Sequence, residues 1–149
     1  MSVKTLYQWP VRHWPAISAV GAGVAALALA ALYWGLIGGQ GVGDLTSPRV
    51  HFIFGFTAAL GVACLLGAVF PSVAARIAVL SAAAGGFATM IIIGIFSIGL
   101  LYVIPTLLAT VALVHTFPDD ADRFAFLSGT AGFLAAVTTM GIGLSEFPI

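Results

Sequence analysis

The chain has 149 residues, of which only 7% are Asp, Glu, Lys or Arg while 61% are hydrophobic. A soluble domain carries roughly 25% charged residues, so ten charges could not cover a soluble surface of this size, and a mean hydropathy of +1.16 agrees. With a formal net charge of zero, no basic face argues for nucleic acid and no charge run for a polyanionic partner. The composition is that of an all-α integral membrane protein whose solvent is the lipid bilayer.

About 20 apolar residues are needed to cross a ~30 Å hydrocarbon layer. On that measure the chain is a single transmembrane domain, a bundle of about five helices with short loops. The expected spans are 16–37, 50–70, 75–95, 98–115 and 124–144. The first follows Lys4, Arg12 and the aromatic Tyr7, Trp9 and Trp14, with Pro15 expected in its first turn, where a missing N–H costs nothing. Its apolar run exceeds the 7–15 residues of a signal h-region, so it reads as a span. A polar loop from Gly38 to Arg49, with Gln40, Asp44 and Ser47-Pro48, leads to the second span, which should stop at Pro71-Ser72.

Apart from Arg76 at its start, the stretch from Ala75 to Thr116 holds no charged residue. As one helix it would be about 63 Å long, twice the bilayer core, so it must fold back. Gly94, Ser97 and Gly99 mark the turn. Pro105 should then kink the fourth span and free a carbonyl, with Thr106 and Thr110 beside it. The segment Gly94 to Pro105 resembles tight inter-helix turns of small prokaryotic membrane proteins. The likeness covers about a dozen residues and implies a prokaryotic cell membrane but no activity. Pro118 to Arg123 is a polar loop in which Asp120 or Asp122 can cap the last span.

Five spans put Lys4, Arg12, Arg76 and Arg123 on one side and Arg49 on the other, which predicts a cytoplasmic N-terminus and an exterior C-terminus. Tyr33, Trp34 and Tyr102 are then expected in an outer interfacial belt.

No ionisable residue sits at depth in these spans, which speaks against a lone proton pump or ion-coupled transporter. Ser81, Ser97 and Ser128 have no activating base, so no catalytic residue is assigned and an enzyme is not expected. Cys64 is a lone apolar-run cysteine, and no metal-ligand spacing occurs. His51, His13 and His115 are the weak candidates for a haem or pigment ligand, but as span-end residues they read as interfacial anchors, and no cofactor is expected. His51 and His115 should lie at opposite depths, too far apart to share one iron.

Small residues recur every four positions: Gly55, Ala59, Ala63 and Gly67 in the second span; Ala74, Ala78, Ala82 and Gly86 in the third; Ser128, Gly132 and Ala136 in the last. Such lines let helix backbones approach closely where lipid supplies no hydrophobic drive. They serve packing within the bundle or docking to other membrane subunits. The expected function is an accessory or structural subunit of a larger respiratory or photosynthetic membrane complex. The alternative is a small homo-oligomeric transporter or channel.

Overall fold

The computed structural model describes residues 3–39, 47–94, 99–117 and 123–146, with side chains from residue 14 onward except that of residue 125. Helix α1 is Val3–Gly39, α2 Pro48–Val69, α3 Val73–Ile93, α4 Val103–Val114 and α5 Arg123–Glu146. A 3₁₀ turn, Gly99–Tyr102, leads directly into α4. The protein is all-helical, with no strand among the described residues. Trp14–Gly39, Pro48–Val69, Val73–Ile93 and Phe126–Glu146 are long and apolar enough to cross a membrane, and Gly99–Val114 is a shorter apolar helix. Four 3₁₀ and 12 α residues reach roughly 26 Å, a few Å short of the ~30 Å hydrocarbon core.

The helix ends follow from local chemistry. Pro48 occupies the first turn of α2, where its absent N–H is no loss. Phe70 ends that helix with an extended backbone (ψ 132°), the conformation that Pro71 imposes on its predecessor. Ser72 then caps α3 by accepting from the Ala75 N–H at 3.4 Å. Across this tight hairpin Arg76 donates to the Ala68 carbonyl at 3.5 Å. At the other end of α3 the Gly99 N–H bonds the Gly94 carbonyl at 2.8 Å. A Cβ on Gly94 would lie 2.9 Å from the Gly99 Cα, and one on Gly99 would run into the Gly94 carbonyl. The reversal therefore closes by glycine-to-glycine backbone contact. Ser97, the third residue expected in that turn, lies outside the described residues, as do Asp120 and Asp122 of the last loop.

Two proline expectations are corrected. The first helix does not begin at Pro15; it starts at Val3 and runs through both Pro10 and Pro15. A proline φ near −65° is itself helical, so the cost lies in the lost bond, such as the one Pro15 cannot return to the Val11 carbonyl, and in the crowding of that carbonyl by the ring. Nor does Pro105 kink the middle of a helix. It sits in the first turn of α4, just after the 3₁₀ segment, where a proline is tolerated.

Four helices form a closed ring: α1 packs on α2 and α4, and α3 packs on α2 and α4. α5 lies outside the ring, packed extensively on α3, slightly on α2 and scarcely on α4. Successive helices alternate in direction, so α3 and α5 run parallel. Gly129 faces Ile77 and Ser81, and Gly85 faces Phe133. The core joins Ala22 and Ala26 of α1, Leu60 and Cys64 of α2, Ala83, Phe87 and Met90 of α3, Tyr102, Ala109 of α4 and Met140 of α5. Small residues dominate the α1 side, which brings that helix close to its neighbours.

Candidate functional site

The candidate sites among the described residues are helix faces. Closest approach occurs at glycines. A Cβ on Gly23 would lie 2.8 Å from the Gly61 carbonyl oxygen, and one on Gly61 would lie 3.1 Å from that of Gly23. The α1 and α2 backbones thus meet with no side chain between them. A Cβ on Gly132 would strike the Ala78 carbonyl, so α5 seats its backbone on α3 there. Gly86 receives Leu60 and Gly85 receives Phe133, each at 2.5 Å from the ideal Cβ position, and Gly143 receives the Phe52 ring.

The residues expected to pack divide between these contacts and the outside. Ala78 and Gly86 lie at the contacts just described, and Ala82 is half-buried. Gly132 and Ala136 face inward, Ala136 being buried, while Ser128 returns its hydroxyl to the Phe124 carbonyl at 2.8 Å. In α2, Gly67 is buried against Leu80 and Ala63 is half-buried. Gly55 and Ala59 are exposed, and a Cβ on Gly55 would meet nothing within 4 Å. Neither residue faces another helix among the described residues. Packing in α2 falls instead to Thr57, Leu60, Gly61, Cys64 and Gly67. Gly23, Gly61, Gly85 and Gly143 were not singled out from the sequence. The Gly85-Gly86 pair carried a usable signal, because adjacent glycines inside a helix cost about 1 kcal/mol each relative to Ala.

His51 is exposed at the start of α2, its Nδ1 3.0 Å from the Ser47 carbonyl and its ring edge-on to Trp34 at 5.4 Å. His115 is exposed at the far end of α4. Since α2 begins where α1 finishes and α4 runs antiparallel to α1, with Ala112 packed by Ala19, the two imidazoles stand at opposite ends of the bundle. The His13 side chain lies outside those described. No three His, Cys, Asp or Glu side chains come together among the described residues.

Most threonines bond back one turn, as Thr89 does to Gly85, Thr110 to Thr106 and Thr139 to Ala135, each at 2.8 Å. Thr57 is different. Its hydroxyl lies 2.9 Å from that of Tyr102, and both residues are almost fully buried. This corrects the expected belt position of Tyr102: at 2% exposure, it stacks on Phe87 inside the bundle. A groove of about 440 Å³ separates α4 from α5, floored by Ser81, Ala84 and Gly85 of α3 and flanked by Phe126 and Phe133. No protein-family model, curated protein or solved structure matches the chain.

Proposed function

We propose that this chain is an accessory or structural subunit of a larger membrane complex, respiratory or photosynthetic in kind. The observation that carries the reading is the outward side of α2. His51, Gly55, Ala59, Val62, Leu66 and Val69 are all exposed, and Gly55 and Ala59 are too small to fill space. A small-residue surface gains little from lipid tails but permits close approach by another helix. The proposed orientation has the N-terminus in the cytoplasm.

A homo-oligomeric channel is the competing reading, and it requires polar groups free to line a path. The groove between α4 and α5 offers few. Thr106, Thr110 and Thr130 all return their hydroxyls to carbonyls of their own turn. That favours the subunit reading.

Gentle solubilisation followed by native electrophoresis and mass spectrometry tests the proposal. The expected result is a stoichiometric association with unlike chains. Gly55→Leu should weaken that association while leaving the thermal stability of the isolated chain unchanged. Gly132→Leu should destabilise the chain itself by about 1–3 kcal/mol, the usual cost of overpacking. Migration only as a monomer or homo-oligomer would defeat the reading.

A further inference from the structure

Where α1 finishes and α2 begins, a cavity of about 270 Å³ opens between α1, α2, α3, α5 and the 3₁₀ turn. Its lining combines apolar Ile53, Met90, Ile93 and Met140 with Tyr33, Arg49 and Tyr102. The Tyr33 phenol lies within electrostatic reach of both the Arg49 guanidinium and the Tyr102 phenol. Tyr102 is engaged by Thr57. Arg49 and Tyr33 are half-buried, and among the described residues neither has a hydrogen-bond or ion-pair partner.

The described lining therefore presents hydroxyls and one positive charge, with no carboxylate among the described residues to match it. Arg49 is half-buried, and a guanidinium at a membrane boundary is stabilised by an acceptor that meets it. Its planar fork suits a phosphate or carboxylate, which it holds through two parallel bonds. The space equals that of about nine waters at ~30 Å³ each, more than a bare oxyanion fills. The remaining lining is apolar. Trp34 and His51 stand beside this end of the bundle in ring contact, and such amphipathic rings mark the level of lipid head groups.

We propose that this cavity binds an amphiphile by its acidic head group, held by Arg49 and Tyr33, with the adjoining apolar portion against Ile53, Ile93, Met90 and Met140. The site is complete within one chain and does not depend on the outward face of α2.

The test is thermal unfolding and native mass spectrometry of the full chain in a neutral detergent. The added probes are dioleoyl phosphatidylglycerol, dioleoyl phosphatidylcholine, oleate and inorganic phosphate. Stabilisation and a retained one-to-one adduct are expected with phosphatidylglycerol or with oleate, and not with phosphatidylcholine. Which of the two acts identifies a phospholipid or a carboxylate source. Arg49→Gln should weaken binding about tenfold, as loss of a charge-assisted bond does. Tyr33→Phe, which removes a hydroxyl and almost no volume, should weaken it about threefold, and the exposed Arg123→Gln not at all. If Arg49→Gln does not fold, Tyr33→Phe decides. Unchanged affinity in Tyr33→Phe overturns the proposal, as does equal binding of phosphatidylcholine or equal stabilisation by inorganic phosphate alone.

Discussion

Thr57 and Tyr102 are 45 residues apart in sequence, and their hydroxyls meet inside the bundle. Both residues are almost fully buried, so each hydroxyl draws on the other. Thr57→Val should cost about 1–2 kcal/mol, because hydroxyl contacts within membranes have modest net value and the Tyr102 phenol is left unsatisfied. Tyr102→Phe should cost a similar amount by orphaning Thr57. The double variant should lose clearly less than the sum of the two, since it removes both polar groups together. Denaturant titration in mixed micelles would measure all three, and strict additivity would show that the pair is not coupled. The small residues carry a different lesson at this scale. A strict four-residue spacing overshoots a full turn by ~40° at each step, so three steps rotate the line by ~120°. The run Gly55, Ala59, Ala63, Gly67 accordingly starts on the outer side of α2 and ends against Leu80. It could not have marked one packed face along its whole length.

The elements themselves were largely legible, because proline and glycine punctuate them. Pro48, Pro71, Gly94 and Gly99 lie at or beside the ends of helices they were expected to bound. Which side of each helix faces inward was not legible. In lipid both sides are apolar, so polarity no longer separates core from surface: Leu60 is buried in α2 while Leu66 is exposed. The Thr57–Tyr102 pair escaped notice for the related reason that a threonine bonding to its own turn looks identical in sequence. The α3–α4 reversal gives the sharpest test at this scale. Gly99→Ala should destabilise the protein by about 1–3 kcal/mol, since its Cβ would meet backbone that cannot yield as a side chain can. Gly35→Ala, with open space around it, should be neutral or slightly stabilising. Thermal unfolding of both variants would check this, and equal effects would remove the case for a backbone-tight turn.

At the scale of the whole molecule, alternation of direction sets Arg76 and Arg123 at one end of the bundle and Arg49 at the other. Combined with the Lys/Arg bias, this predicts a cytoplasmic N-terminus. Single cysteines at Ser2, Gln40 and Ser145, in a Cys64→Ala background, can be probed with an impermeant thiol reagent in intact cells. Labelling at Gln40 and Ser145 but not Ser2 is the expected pattern. Labelling at Ser2 together with Ser145 would mean an even number of crossings.

The placement of α5 outside a ring closed by α1 to α4 also bears on how the protein is made. Synthesis delivers the helices in order, so every ring contact can form before the fifth helix has entered the bilayer. Until then the side of α3 that later receives α5, including Ala78 and Gly85, borders lipid. That exposure carries little penalty, because acyl chains cover an alanine or glycine surface without the ordering of water that would drive collapse in solution. The order of synthesis therefore leads us to expect that the last helix docks onto a surface that the first four have already formed.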